Sequence, residues 1–291
     1  FSSRDFALLW IGQLFSQIGD QCLLIAAMTL ITGFSRSPLA MLIPAISIAA
    51  PQLVFGLAGG VIADRWDRKK LMIASEVLRG LIVLAVLLVR SVGDLWILYL
   101  AAACLTLVGV FFYPARNAVI PNVVPPGLLL AANGLIQGSY IVALIVGPVV
   151  AGTLVELWAP AAILFDSLSF FVSAILITVM NIPDTRKQPR KAKEDGVWED
   201  MKAGLNFIRR NRAVRQVLVT MAVATLGIGA VVLLAIPHLK ERLEAGGLMY
   251  GGAMSMLGVG SVLGGLLVSR LSRRLSASTL VGGLMILAGI A

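Results

Sequence analysis

Long apolar runs, separated by short polar segments, organise this chain from one end to the other. A spanning α-helix needs about 20 mainly apolar residues. Eight runs reach that length and a ninth begins near the end, while no stretch alternates between apolar and polar positions over ten residues. The pattern therefore predicts membrane helices at roughly 6–32, 38–63, 71–90, 94–114, 128–155, 160–182, 213–238, 248–269 and 277–291.

Composition agrees with a chain that lies mostly in lipid. Hydrophobic residues make up 58% of it and charged residues only 13%, against about a quarter charged in a soluble domain. The mean hydropathy is +0.93. Cys22 and Cys104 lie in different apolar runs, so they predict neither a disulfide framework nor a zinc site. The fold class predicted is all-α and integral to the membrane.

The loops between the runs carry charge of one sign on alternate sides. If the N-terminus is cytoplasmic, 19 Lys and Arg residues fall on the inner side and four on the outer side, with Arg79 inside a run. Cytoplasmic loops carry such an excess, so the bias predicts a cytoplasmic N-terminus. The same bias accounts for the net charge of +9. In a soluble chain, such a charge would indicate nucleic-acid binding.

One long polar segment divides the first six runs from the rest. It predicts an N-terminal six-helix bundle over 1–182, a cytoplasmic linker over 183–212 and the first part of a second bundle over 213–291. The second part of the linker has an apolar helical face and is typical of an amphipathic helix on the inner membrane surface. Packing against the inner ends of the spans is an equal alternative. The face consists of Trp198, Met201, Leu205 and Ile208.

A short loop between spans 2 and 3, "GGVIADRWDRKKL", is densely charged, and a related loop follows span 8. That second loop reads "GGLLVSRLSRRL", and its basic positions match at an offset of 205 residues. Both loops follow a glycine pair. A repeat of six spans, joined by a long inner loop, is a transporter plan.

The first loop resembles motif A of the major facilitator superfamily, G-x-x-x-D-R/K-x-G-R/K-R/K-R/K. Asp67 stands where the motif has its second glycine, and Ser269 replaces the acid in the second copy. The resemblance implies two six-helix bundles related by a pseudo-two-fold axis, with this chain covering about spans 1 to 9 of twelve. It also implies that Asp64 helps to latch the two halves, although a simple topology anchor would need only the basic residues. The residues that fit the latch motif are Gly60, Asp64, Arg65, Arg68, Lys69 and Lys70.

Other segments resemble the drug/proton antiporter branch of macrolide and siderophore exporters. They are "SQIGDQ" in span 1, "FFYPARNAVIPNVVPPGLLLAANGL" after span 4 and "FDSLSFFVSAI" in span 6. Motif C of the antiporters, G-P-x-x-G-G, reads "GPVVAG" here. The motif predicts a bend or close approach in span 5 at Gly147, Pro148 and Gly152, with ordinary small-residue packing as the alternative. The arginine that motif B places inside span 4 is not found between Asp94 and Arg116.

Ionisable groups inside a bilayer are costly and indicate function by default. Asp20 in span 1 shares a polar stripe with Gln17 and Gln13, which predicts that the stripe faces a water-filled cavity and binds protons or substrate. A carboxyl group there can exchange protons, because desolvation disfavours its charged form; a neutral, hydrogen-bonded Asp is the alternative. Glu76 and Arg79 in span 3 have an i, i+3 spacing that favours a structural ion pair. Asp166 in span 6 is either a functional acid or an acid in contact with water near the outer end of the span. His238 is most simply explained as a loop residue.

These features predict a secondary active transporter that exports amphipathic organic compounds in exchange for protons. No phosphate-binding loop and no H-E-x-x-H zinc motif occur, so neither ATP-driven transport nor a zinc enzyme is expected. A lysophospholipid or metal-ion carrier on the same fold remains an alternative, as does a receptor or scaffold that transports nothing. We expect a monomer in the cell membrane, such as a bacterial inner membrane. Its expected partners are a small-molecule substrate, protons and the lipid bilayer. Nucleic acid, a cofactor and a bound metal are not expected.

Overall fold

A computed structural model of the chain describes residues 3–35, 37–182, 206–212, 214–216, 218–220 and 247–271. Seven long helices occur in these ranges, and short 3-10 turns flank α4 on both sides and follow α3. The all-helical fold predicted from the sequence is confirmed. The helices are α1 (Arg4–Phe34), α2 (Pro38–Arg65), α3 (Arg68–Ala85), α4 (Leu95–Val123), α5 (Leu129–Leu157), α6 (Ala159–Val179) and α7 (Gly247–Leu271), which corresponds to predicted span 8.

Length and composition allow five of the described helices to cross a membrane. They are α1, α3, α4, α5 and α6, counted with the 3-10 turns that extend three of them. Proline lies inside α2, α4 and α5 without ending them. Inside a membrane bundle, neighbouring groups can satisfy the backbone carbonyls that proline leaves without a donor.

The first six helices form one bundle. The helix α1 packs against α5 and α6, α3 packs against α4 and α6, and α2 packs along α4. The helix α7 lies along α5 and also touches α1. Two apolar clusters fill the bundle, one near the start of α1 around Leu9 and Met72, the other near its end around Ile31 and Val86. Polar residues of α1 lie between these clusters, so the interior has a polar layer at mid-height.

Span 4 ends later than the sequence pattern predicts. The apolar run predicts an end near residue 114, but α4 continues through Pro114 and Pro121 to Val123. Arg116 was assigned to an inner loop and instead lies inside this helix. The sequence prediction of its position is therefore wrong, and the helix contains an arginine that the motif comparison had not found there.

The charged loop between α2 and α3 is tied to the ends of two other helices. Lys69 donates from Nζ to the carbonyls of Thr178 and Met180 at 2.7 Å each, at the end of α6. Arg68 donates to the carbonyl of Ala118 in α4 at 3.2 Å. Basic groups are favourable at the C-terminal end of a helix, where carbonyls have no helical partner.

Asp67 has a local role that explains its departure from the motif. It is the N-cap of α3 and accepts a hydrogen bond from the backbone N–H of Lys70 at 3.1 Å. Aspartate is among the best N-cap residues. The first turn of α3 therefore gains a side-chain acceptor that glycine could not provide.

The helices α5 and α7 approach closely next to the predicted motif C. Gly251 lies against the carbonyl of Pro148, and a Cβ on Gly258 would lie 2.7 Å from Ile145 Cγ1. Ser255 donates to the carbonyl of Ile145 at 2.6 Å. Small residues and a hydroxyl group therefore bring the two backbones together, as is common between membrane helices.

On its other side, motif C packs on α1. A Cβ added to Gly147 would lie 2.7 Å from the side chain of Gln21, and Gly152 is buried in α5. These contacts fit both a close backbone approach and ordinary small-residue packing, so the role of the segment stays a prediction. Residues 183–205, which make up most of the predicted linker, lie outside the described residues, as do His238 and residues 213 and 291 at the predicted limits of the second bundle.

Candidate functional site

The polar stripe of α1 supplies the first groups of the site. Gln13 is buried, Gln17 is half-buried with its Oε1 shielded from solvent, and Asp20 is exposed. Spacings of three and four residues place side chains on one face of a helix. The stripe therefore runs from the interior of the bundle, at Gln13, to open space at Asp20.

Gln13 joins an acid on α3 to an arginine on α4. Its Nε2 donates to Glu76 Oε1 at 3.0 Å, and its Oε1 accepts from Arg116 Nη1 at 3.2 Å. Ser173 on α6 accepts a longer bond from the same Nε2, at 3.5 Å. A side-chain amide can serve both a carboxylate and a guanidinium, because it carries a donor and an acceptor. Gln13 thus couples three helices to α1.

Arg79 is held by aromatic rings rather than by the ion pair with Glu76 that the spacing favoured. Its guanidinium carbon lies 4.8 Å from the ring centroid of Phe112, 5.2 Å from Tyr113 and 5.6 Å from Phe170. Among the described residues, Glu76 bonds to Gln13 and not to Arg79. The predicted direct ion pair is therefore wrong, although the two groups still interact electrostatically.

Gly109 makes room for this arginine. A Cβ at that position would lie 2.7 Å from Arg79 Nη2. Arginine on an aromatic face gains cation–π energy, more so where water is excluded. The rings come from α4 and α6, so this cage fixes α3 against both helices.

Asp166 on α6 is fully buried, and neither of its carboxyl oxygens has a hydrogen-bond partner among the residues the structure describes. It lies against Gly19 of α1, where an added Cβ would be 2.5 Å from both Asp166 Oδ1 and Ser169 Oγ. The alternative of a wetted acid near the outer end is therefore wrong. A buried carboxyl without a donor strongly disfavours a negative charge.

The site contains three acids and two arginines from four helices. Asp20, Glu76 and Asp166 each interact electrostatically with Arg79, and Asp166 also interacts with the other two acids. Like charges this close cannot all be ionised cheaply.

Sequence reasoning missed Arg116, Ser173 and the three rings around Arg79. The rings come from distant segments, so spacing within α3 could not reveal them. A signal for Arg116 was available, since proline is tolerated inside membrane helices and "YPARNAVIP" continues the apolar run. Of the latch residues, Gly60, Asp64 and Arg65 lie in the last part of α2, and Arg68 and Lys69 make the contacts given above.

Gly19 offers a direct test of the contact between α1 and α6. We expect Gly19→Ala to lower stability by about 1–3 kcal/mol, the usual cost of overpacking, because the methyl group has no space beside Asp166. Gly33→Ala in the same helix is the matched control, since nothing lies within 4 Å of a Cβ there. Thermal unfolding in detergent measures both. Equal melting temperatures for Gly19→Ala and the wild type would contradict the contact.

Comparison with solved structures shows the fold. A crystal structure titled as a bacterial homologue of the human lysosomal transporter Spinster, inward-facing and unoccupied, matches with a TM-score of 0.71. The match covers 93% of this chain and 63% of that one, at 13% sequence identity. At this identity the likeness concerns the fold alone.

Sequence comparison finds transporters from several bacteria. Macrolide efflux protein A of Streptococcus pyogenes is 28% identical over 212 residues, 72% of this chain and 52% of that protein. The putative bacilysin exporter of Bacillus subtilis strain 168 is 29% identical over 265 residues, 89% of this chain and 64% of that protein. The chain thus spans about half to two thirds of the length of these curated relatives.

A family model covers the whole chain. The model described as transmembrane secretion effector matches residues 1–291. Its match agrees with the fold, with the motif A loop at the start of α3 and with the transporters found by sequence. The chain belongs to the transmembrane secretion effector family of the major facilitator superfamily.

Proposed function

We propose that this protein is a secondary active exporter that moves amphipathic organic compounds out of the cell in exchange for protons. The observation that carries the proposal is the polar layer of the bundle, where Asp20, Glu76 and Asp166 interact electrostatically with Arg79. Such groups inside a membrane bundle are expensive and mark ion or substrate pathways. The names of two relatives, an efflux protein and a putative exporter, support the outward direction.

Exposure assigns different tasks to the three acids. Asp20 is exposed and so can take a proton from water in the cavity. Glu76 and Asp166 are fully buried, so a change of helix packing is needed before water reaches them. We therefore assign proton exchange to Asp20. The charges of Glu76, Asp166 and Arg79 determine the electrostatic potential at its carboxyl group. Gln17, which is half-buried on the same face of α1 as Asp20, is assigned to substrate binding.

Alternating access requires the two predicted halves to move against each other. We place one contact of this movement at α5 and α7, where the carbonyl of Pro148 lies against Gly251, and a second at α1, where Gly147 lies against Gln21. Gly152 is buried in the same helix. We place the latch in the motif A loop, with Gly60, Asp64 and Arg65 at the end of α2. Arg68 and Lys69 bind the ends of α4 and α6, so the loop holds the helices of its own half in register.

Asp64→Asn tests the latch. The substitution keeps the shape of the side chain and removes its charge, so we expect transport to fall several-fold while the amount of protein in the membrane is unchanged. Asp67→Asn is the matched control in the same loop, because Asn is as good an N-cap as Asp. Transport by Asp64→Asn at the wild-type rate would mean that the loop only anchors the topology.

Export itself can be tested in cells that either contain or lack the protein. A panel of amphipathic antibacterial compounds is screened for growth inhibition, and the compounds that the protein protects against are followed by their accumulation. We expect lower accumulation in cells with the protein, and recovery of accumulation when the proton gradient is collapsed. Equal accumulation for every compound would favour the receptor or scaffold alternative.

A further inference from the structure

Tyr113 lies between two arginines at the edge of the polar layer. Its ring centroid is 5.2 Å from the guanidinium carbon of Arg79 and 5.2 Å from that of Arg116. The Tyr113 side chain is nevertheless 45% exposed. Arg79 is buried, whereas Arg116 is half-buried. One ring and one guanidinium therefore present accessible surface beside a buried second positive charge.

Arg116 keeps hydrogen-bond donors for a further partner. Its Nε and Nη2 donate to Asn117 Oδ1 at 3.2 and 3.0 Å, and its Nη1 donates to Gln13 Oε1 at 3.2 Å. A guanidinium has five N–H donors, so one donor on each terminal nitrogen has no partner among the residues that the structure describes. Two donors on adjacent nitrogens match the two oxygens of a carboxylate.

The nearest acid does not neutralise Arg116 by direct contact. Gln13 stands between them, because its amide nitrogen bonds to Glu76 and its amide oxygen bonds to Arg116. A glutamate at position 13 would pair with Arg116 itself. The amide instead keeps the guanidinium positioned without supplying a negative charge.

The exposed surfaces open on the side of the bundle that α1 and α4 share. Tyr113 and Arg116 belong to α4, and their contacts reach Arg79 on α3 and Gln13 on α1. The exposed faces of Tyr113 and Arg116 are therefore the surface that a ligand can reach.

We propose that Arg116 and Tyr113 form a subsite for the carboxylate group of an amphipathic organic cargo. The Arg116 guanidinium binds the two carboxylate oxygens, and the Tyr113 ring packs against the apolar part next to them. Arg79 adds a second positive charge behind the ring. The inference rests on the proposed export function and narrows its substrate class to organic acids and zwitterions.

Equilibrium binding to the purified full-length protein tests the subsite. The probes are 1-pyrenebutyrate and 1-pyrenebutanol, which share the ring and chain and differ in the carboxylate. Binding is measured by fluorescence in detergent without anionic lipid, at neutral pH and with no gradient. We expect the wild type to bind the acid at least about tenfold more tightly than the alcohol, the range of a charge-assisted hydrogen bond.

Two variants assign the preference to named residues. In Arg116→Gln the tenfold preference for the acid should disappear while the affinity for the alcohol stays the same, which also shows that the variant is folded. Gln13→Glu should have the same effect, because its carboxylate competes for Arg116. Adding anionic lipid vesicles shows whether a lipid headgroup displaces the acid.

Several outcomes would overturn the subsite. For the wild type, these outcomes are equal affinity for the two probes, no binding of either probe, or displacement of the acid by anionic lipid. For the variants, they are an equal loss of affinity for both probes in Arg116→Gln, or a preference for the acid that survives in both Arg116→Gln and Gln13→Glu. None of these measurements uses a proton gradient. Failure here would therefore leave proton-coupled export untouched, and failure of coupling would leave the binding result valid.

Discussion

Replacing Asp20 by Asn is expected to abolish transport driven by a pH gradient and to leave substrate binding intact. A carboxamide has the shape of the protonated acid but cannot release a proton. Among Asp20, Glu76 and Asp166, only Asp20 is exposed, whereas the other two are fully buried. The site should therefore lose the group that exchanges protons with the cavity.

The measurement is pH-gradient-driven uptake into inverted membrane vesicles, with a binding assay on the same preparation. Uptake by Asp20→Asn should fall to the level of vesicles without the protein. Asp67→Asn removes one acid outside the bundle interior and should transport like the wild type. Full gradient-driven uptake by Asp20→Asn would remove this residue from the mechanism and move the coupling role to Asp166 and Glu76.

Replacing Arg79 by Met should be the most damaging change to stability in the bundle. Methionine fills part of the cage of rings, but the positive charge that faces Asp20, Glu76 and Asp166 is lost. Removing one member of a buried charged group costs about 3–5 kcal/mol, because the opposite charges remain uncompensated. We expect a large fall in melting temperature and in the amount of folded protein.

Two further variants separate charge from packing at this position. Arg90→Met is the matched control, since Arg90 is exposed in the connection between α3 and α4 and should tolerate the change. The double variant Arg79→Met with Glu76→Gln should recover part of the lost stability, because it also removes an acid that interacts with Arg79. Thermal unfolding in detergent gives all four values. No recovery in the double variant would mean that the cage, rather than the charge, determines the loss.

The pattern of apolar runs predicted the helical membrane fold well, because the bilayer imposes helices of a set length on any chain that crosses it. Local rules also predicted the position of the polar stripe on α1. The end of α4 was predicted too early, because the uninterrupted apolar run ends near residue 114 and polar residues follow it. In the bundle, α4 passes through Pro114 and Pro121, and this continuation brings Arg116 to Gln13.

The pattern of apolar and polar residues could not predict contacts between segments that are distant in the sequence. The i, i+3 spacing correctly placed Glu76 and Arg79 one turn apart, but Phe112 and Tyr113 on α4 and Phe170 on α6 decide where the guanidinium lies. In the same way, the space for Asp166 is set by the absence of a side chain at Gly19. Such pairings depend on how helices pack, which no single segment specifies.

Flux through proteoliposomes tests the central proposal, proton-coupled export, most directly. Purified full-length protein is reconstituted with a pH-sensitive dye inside, and a compound identified in the cell screen is added. We expect that an imposed pH gradient drives the compound against its own gradient, and that a gradient of the compound alone moves protons in the opposite direction. Movement of the compound that is the same with and without a pH gradient, accompanied by no change in the dye signal, would contradict it.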